Sequence, residues 1–417
     1  MAKNRNWKNI RNFLDRSANK YKFYFGNYSY EDFIKGSVAA RFPKSTLGWG
    51  KRAVEMRANK THFDCFENDT LGLNEILAKY RVIEAFDKVK EDVLVAGCGF
   101  LALADDRVMP FTAAEATGEF DWHEQNLSSG VAIFEEKTSN DLTPSVPDSF
   151  IEYTQGYTTV GNHGEETMEL NTVGRPLIAL LTHKSTAKQP FGRSVLSKPA
   201  RDAIIDASRT TRQAMIAAHF YNEKVDVILG VDASTDIKKV EKRQGDVMTV
   251  GPNENGQIPQ IGEFSQHAMA PFNDTILIAA RNFCSDTKLS LANLGIATNA
   301  PQSTEALEIV NDDLKDSIIE WQRELGEQIK YFAVTLWMHE NNQRQLDDNM
   351  IEKIKATLPV WRSVYREDVS KFGDGLNKIA QDAPAIVKAR SVWRNLGLTS
   401  EEITEVIASA GQNQFKI

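Results

Sequence analysis

Hydrophobic and polar positions along this 417-residue chain change their period several times, and each change marks a new kind of element. From Leu71 to about Ala96 the apolar residues Leu73, Ile76, Leu77, Tyr80, Ile83, Phe86 and Val89 recur every three or four positions, which predicts a helix. The run after it, VLVAGCGFLALADD, reads as a strand or hairpin with small residues at its centre. Between 107 and 196 the apolar runs shorten to VAIFEE, FIEYTQGYTTV, TMELNTV and PLIALLTH, split by Gly, Pro, Asn and Asp. They predict an antiparallel, half-buried sheet and not a βαβ array. At Ser197 helical spacing returns. With Ser197 as N-cap and Pro199 in the first turn, Ile204, Ser208, Thr211, Met215, Ala218 and Asn222 mark one face of a helix of about 24 residues. Residues 223–272 revert to strands and turns (VDVILGVD, DVMTVG, PNENGQIPQIGEF), Asn273 to about Leu294 is helical again, and Gly295–Thr304 forms a loop.

The strongest periodicity follows that loop. Leu307, Val310, Leu314, Ile318, Trp321, Leu325, Ile329, Phe332 and Leu336 predict one helix over Thr304–Glu340, about 55 Å long. Gly326 interrupts its composition and is a candidate kink. An apolar stripe of that length is easier to cover between neighbouring subunits than inside one small domain. Shorter helices follow, the last opening on a capping box in which Thr399 and Glu402 satisfy each other's backbone donors. Residues 1–70, rich in Asn, Lys, Arg and aromatics, read as an arm that packs on something else. There is no internal repeat and no low-complexity tract.

Composition narrows the functional classes. Hydrophobic residues make up 41% and charged residues 25%, as in ordinary globular proteins, and the length allows two or three domains. No apolar run approaches a membrane span, and the opening MAKNRNWKNIRNFLDRS lacks the apolar centre of a signal peptide. Cys65, Cys98 and Cys284 cannot all pair, so a reduced, intracellular place of synthesis is expected. The net charge of −8 argues against tight, sequence-reading DNA binding, which draws its affinity from neutralised phosphates. Loose passage of DNA is compatible with it.

Candidate chemistry is sparse. Gly97-Cys98-Gly99 after an apolar run resembles the cofactor turn of methyltransferases and dinucleotide enzymes, but the residues after it read as more strand where such a site needs a helix. A hairpin packed closely on the preceding helix is the better account. His62, His123, His163, His183, His219, His267 and His339 show no metal-ligand spacing. Cys284 reads as a buried, inert thiol, Ser194 lacks the second glycine of a nucleophile elbow, and Gly48-Trp49-Gly50-Lys51 lacks phosphate-loop spacing. Asp105-Asp106 and Asp347-Asp348 read as solvated turns. No cofactor, metal or enzymatic activity is expected.

The order of the elements is more informative. Pro190-Phe191-Gly192-Arg193-Ser194, followed by KPARDAIIDASRTTRQAMIAAHFYNEKVDVILGV, resembles a segment of the portal proteins of long-tailed double-stranded-DNA bacteriophages. So does Leu294-Gly295-Ile296 with Asn299-Ala300-Pro301-Gln302-Ser303-Thr304-Glu305-Ala306, a loop opening the long helix that ends in KYFAVTLWM. Ser370-Lys371-Phe372-Gly373-Asp374-Gly375, followed by Pro384, is similar to the family's C-terminal region. The resemblance spans roughly residues 70–400 and is carried by the order and spacing of these motifs together.

That resemblance implies an α+β, portal-type fold: an α/β wing, a two-helix stem, a small α/β clip, a long wing helix and a helical C-terminal crown, closed into a ring oligomer. By position, 1–196 would be N-terminal arm and wing, 197–222 the first stem helix and 223–272 the clip. Residues 273–290 would be the second stem helix, 291–304 the tunnel loop, 305–340 the long wing helix, and 341–417 wing completion and crown. The implied function is structural: a ring, typically dodecameric, at the capsid vertex of a virion, serving as channel for DNA packaging and ejection. Its implied partners are the terminase large subunit, the head–tail connector or adaptor, the major capsid and scaffolding proteins, and double-stranded DNA passing non-specifically, with no membrane. Channel contacts would come from Lys288, Asn293, Asn299 and Gln302, with Arg281 and Arg209 on the stem helices. Lys288 reads equally as a solvated surface lysine. Two other readings stay open: a methyltransferase-like enzyme built on Gly97 and Gly99, and another capsid-assembly or head-completion protein.

Overall fold

A computed structural model of the chain describes residues 7–31, 42–135, 147–222, 226–229, 260–263, 269–296, 304–364, 378, 380–381 and 389–412. In chain order these hold α1 (Trp7–Phe25), α2 (Trp49–Ala58), β1 (Phe63–Glu67), α3 (Leu73–Lys79) and α4 (Val82–Ala96). Strands β2 (Cys98–Ala104), β3 (Arg107–Thr112), β4 (Ala116–Asp121), β5 (Asn126–Glu135), β6 (Ser149–Thr154), β7 (Tyr157–Asn162), β8 (Glu165–Leu170) and β9 (Ile178–Thr182) come next. Then follow α5 (Lys198–Asn222), β10 (Asp226–Leu229), β11 (Gln260–Glu263), α6 (Ala270–Thr287), α7 (Thr304–Glu340), α8 (Asp348–Ala356), β12 (Leu358–Trp361), α9 (Arg390–Asn395) and α10 (Ser400–Gln412). The fold is α+β, and every described strand pair is antiparallel.

The chain divides into two units, residues 1–29, 46–204 and 281–417 in the first and 30–45 and 205–280 in the second. The first unit carries a three-stranded sheet, β3-β2-β9, and a five-stranded meander, β4-β5-β6-β7-β8. Short turns join β2 to β3, β4 to β5, β6 to β7 and β7 to β8. The β7–β8 connection has positive φ at both His163 (48°) and Gly164 (92°), the two-residue geometry whose twist suits an antiparallel hairpin. Buried Tyr153 on β6 donates its hydroxyl to Leu103 O on β2 at 2.8 Å and ties the two sheets together. The amino-terminal segment is a single helix that buries Leu14 against Val131, Ile133 and Phe150. The expected arm therefore packs on this chain's own sheet.

Helix α4 covers β2 and β3 with Val82, Phe86, Val89 and Val93. The helix predicted over Leu71–Ala96 is broken in two at Tyr80-Arg81, where Arg81 takes a left-handed φ of 54°. Val93–Ala96, read as strand, are the last helical turn, and the strand begins only at Cys98. The apolar run fits either geometry by pattern. Gly97, at φ 98°, ends the helix and lets the chain reverse into β2.

Helix α7 runs unbroken over the span its periodicity predicts. Leu314, Ile318, Trp321, Leu325, Ile329, Phe332 and Leu336 are all buried within the first unit, against α3, β9 and β12. The expectation that neighbouring subunits cover this stripe is thereby corrected, since the chain's own strands cover it from Leu314 onward. Gly326, the candidate kink, lies within this continuous helix and faces β12. A Cβ there would lie 2.7 Å from Pro359 Cγ and 2.9 Å from its Cβ, so the glycine lets β12 lie directly on the helix.

In the second unit, the described residues 30–31 and 42–45 are tied to one another and to α5. Tyr30 donates to Ser45 O at 3.0 Å, Lys44 to Tyr30 O at 2.9 Å, and Arg212 to Phe42 O at 3.1 Å. Strands β10 and β11 pair from Asp226↔Glu263 to Leu229↔Gln260. Ala270–Phe272, expected at the end of the clip, open α6, and residues 223–225, 230–259 and 264–268, DVMTVG included, lie outside the described residues.

Candidate functional site

Pro190–Ser194, one of the motifs in the portal resemblance, lies where α4 ends, and its role there follows from the partners of the α4 backbone. A helix leaves its last four carbonyls without intrahelical partners. In α4 these belong to Val93, Leu94, Val95 and Ala96, and each is satisfied. Gly97 N donates to Val93 O (2.8 Å), Val195 N to Leu94 O (2.9 Å), Ser194 Oγ to Val95 O (2.6 Å), and Lys20 Nζ to Ala96 O. Lys20 brings positive charge to the negative end of the helix dipole. Burial lowers its pKa, with Cys98 opposing and Arg201 reinforcing the shift.

The same segment closes the Gly97–Gly99 turn. His183 N donates to Gly97 O at 2.9 Å and Arg193 N to His183 O at 2.7 Å. A Cβ on Gly97 would sit 2.9 Å from Arg193 C, and one on Gly99 2.8 Å from Val89 Cγ2. The space a cofactor would use beside these glycines holds this chain's own backbone and α4. His183 is buried, donates Nδ1–H to Arg193 O (2.7 Å) and stands edge-on to Trp321 (5.7 Å). Burial pushes its pKa down to about 3, so it stays neutral.

Helix α7 grips the end of β9 from the side away from β2. Trp321 Nε1 donates to Thr182 O at 3.0 Å, and Gln328 Oε1 accepts from Thr182 N at 2.9 Å. The Glu324 carboxylate accepts from Thr182 Oγ1 (2.6 Å), Lys184 N (2.9 Å), Ser185 N (3.0 Å) and Ser185 Oγ. Side chains thus satisfy a sheet edge that would otherwise be open. Glu324 also holds Lys184 at φ 53°, a left-handed conformation.

A second such turn ends α6. Leu289 N donates to Cys284 O at 3.1 Å across Lys288, which also has φ 53°. That is the Schellman arrangement, whose left-handed position is ordinarily glycine, and a lysine there costs about 1 kcal/mol. Buried Arg57 donates to Ala53 O (2.9 Å) and to Thr287 O, and desolvation lowers its pKa to about 10. Beneath the turn, Phe283 packs on Trp49 with ring centroids 5.6 Å apart, and Cys284 is buried, its thiol pushed up to about 11 by desolvation.

Of the residues expected at a DNA channel, Arg281, Lys288 and Asn293 lie on or beside this turn. Lys288 is exposed, and Arg281 is exposed two helical turns before it. Asn293 follows in a short 3-10 turn, where its carbonyl accepts from Arg52 Nε (3.0 Å) and its amide donates to Asn311 Oδ1 (3.1 Å). Arg209 belongs to the second unit and is engaged with Glu31 O (3.1 Å) and Asp206 (3.6 Å). Asn299 and Gln302 lie outside the described residues. No local pattern in Thr182-His-Lys-Ser185 singles out the turn at Lys184, because its position depends on Glu324, 140 residues away.

A cleft of about 220 Å³ opens against the β9–α7 seam, lined by Trp122, Leu180, Ser185, Pro190 and Gln328 among others, with no titratable side chain. Among the described residues no group of three or more His, Cys, Asp or Glu could hold a metal, and no helix is long and apolar enough to cross a membrane.

No family model and no curated protein matches the chain. Solved structures do. The chain is similar to one in the virion of a native gene transfer agent particle (11% identity, TM-score 0.46, covering 89% of this chain and 95% of that one). It is similar to a chain in the neck of the native particle computed with C12 symmetry (12%, 0.46, 87% and 93%). It is also similar to one in the neck of an empty particle computed with C6 symmetry (11%, 0.45, 88% and 90%).

Proposed function

We propose that this chain is the subunit of a closed ring forming the DNA channel of a phage-type capsid, as its portal resemblance implies. The observation that carries the reading is the order of elements. A strand-rich part leads into α5, the antiparallel pair β10–β11, α6, a tight turn at Lys288, and then the 37-residue α7. A stem–clip–stem insertion followed by a long wing helix requires that order. A cofactor enzyme or a head-completion protein does not. The Pro190–Ser194 segment adds support, since it anchors the start of α5 to the end of α4 and to β9.

The role is structural, without an assigned catalytic step or cofactor. Its partners are further copies of the chain, the terminase large subunit, a connector protein, and the capsid and scaffolding proteins around one vertex of the virion. The net charge of −8 suits a channel that lets phosphates slide instead of holding them. A closed ring needs two different, mutually complementary faces on each subunit. With the α7 stripe internal, Met215 on α5 (50%) and Ile278 on α6 (56%) are the large apolar side chains that the two stem helices expose among the described residues.

Size-exclusion chromatography with light scattering, followed by negative-stain electron microscopy, tests this. Rings of roughly half a megadalton with a central hole are expected, twelve copies of a 46.8 kDa chain. A 46.8 kDa monomer at every concentration, with or without DNA and partners, would end the proposal.

A further inference from the structure

Helix α8 is amphipathic yet buries none of its own residues. Between it and α7 runs a cleft of about 440 Å³, its apolar lining made by Val334, Leu346, Ile351 and Ile354. Arg175 also lines it, with its guanidinium 4.8 Å from the Tyr331 ring centroid. A cleft of about 350 Å³ beside it shares Arg175 and Tyr331 and adds Arg344, so the two are continuous. Lys330 is paired with Glu327 at 2.8 Å. That leaves Arg175, Arg344 and Lys355 against Glu124, a positive lining on a chain of net charge −8.

The β7–β8 hairpin has the opposite character. Every residue of β8 is exposed, Met168 at 61%, and no described strand pairs with its outer edge. From Tyr157 to Leu170 there are three glutamates and no lysine or arginine. An open strand edge with apolar side chains invites contact with another chain. In an antiparallel meander, alternate turns lie at opposite ends of the sheet. The groove takes in Gln125 of the β4–β5 turn and Gly156 of the β6–β7 turn. The His163-Gly164 turn lies at the other end, about 20 Å away along the six-residue β7. One chain therefore cannot place its own hairpin tip in its own groove.

We propose that the groove between α7 and α8 receives the tip of the β7–β8 hairpin from a second copy of this chain. Glu165 and Glu166 meet Arg175 and Lys355, and Met168 lies against Ile351 and Ile354. Complementary patches at opposite ends of one sheet make a head-to-tail contact, which closes into a ring or runs on as a filament. The inference rests on the ring reading for closure, while the contact itself stands on the two surfaces.

The test is light scattering and electron microscopy of the full chain over a concentration and salt series. Lys355→Glu, and separately Glu165→Lys with Glu166→Lys, should weaken association about tenfold, and added salt should weaken it in the parent. The chain carrying all three changes should regain association, because the charges have exchanged sides. Lys88→Glu on α4 makes the same net-charge change as Lys355→Glu and should leave association alone. All these side chains are exposed, so melting temperatures should match the parent. Undiminished rings in every variant overturn the hairpin contact and leave the ring reading standing. Open strings that vanish with Lys355→Glu and return in the triple variant support the contact and sink the ring. Loss without recovery in the triple variant overturns the pairing of these two faces, and a parent that stays monomeric throughout overturns both.

Discussion

Single residues in this chain are placed by long-range partners as much as by their neighbours. Asp92, on α4 beside Tyr21 of α1, shows what that placement does to a carboxyl group. Burial pushes its pKa up to about 7, Glu115 and Glu91 push the same way, and the Tyr21 hydroxyl opposes them. A carboxyl group whose folded pKa lies above its unfolded value contributes stability at low pH and loses it as pH rises. The window here runs from about 4 to about 7. Asp92→Asn should therefore leave stability nearly unchanged at pH 4 and raise it progressively toward pH 8, by at most about 4 kcal/mol. Urea titrations at several pH values will show the widening gap, and a constant difference across pH would refute the assignment. Gly326 is a second case. Helix propensity alone predicts that alanine there adds about 1 kcal/mol of stability. The contact with Pro359 reverses the sign, so Gly326→Ala should destabilise by about 1–3 kcal/mol in thermal melts.

Among the elements, the helices were the legible part. The spacing of Leu314 to Leu336, the Ser197 N-cap and the Thr399–Glu402 capping box all appear where the residues place them. Glu402 accepts from Thr399 N at 2.8 Å, and Ala200 N donates to Ser197 Oγ at 3.3 Å. Strand β1 was not legible, because Phe63–Glu67 pairs with Leu358–Trp361 almost 300 residues later and neither run alternates cleanly. Strand β4 was missed for a related reason: ATGEFD carries too few apolar residues to reveal its partner β5. The candidate site divides in the same way. Lys288 is named by the resemblance alone, and nothing near Lys184 in sequence announces its turn's partner Glu324. That carboxylate should matter to the fold. Glu324→Ala strips the Lys184 and Ser185 amides of their acceptor and should cost about 1–3 kcal/mol. Glu324→Gln, which keeps one acceptor oxygen, should cost less, and equal losses in the two variants would show that the carboxylate only fills space.

At the scale of the whole molecule, the internal burial of the α7 stripe moves the expected subunit interface onto other surfaces. Ile278→Asp or Met215→Asp replaces an exposed apolar side chain with a charge, so the single chain should fold and melt as before while rings fail to close. Light scattering and melting curves on the same sample separate those outcomes, and intact rings in both variants would exclude these positions from the interface. The closure of α4 has a consequence for how the molecule is made. Its terminal carbonyls are met by Lys20, Ser194 and Val195, residues synthesised long before and long after the helix itself. On the ribosome, α4 must wait with a frayed end until about a hundred further residues have emerged. Nascent chains stalled before Ser194 should leave that helix end open to protease and exchange, and release past Leu196 should shut it in a single late step.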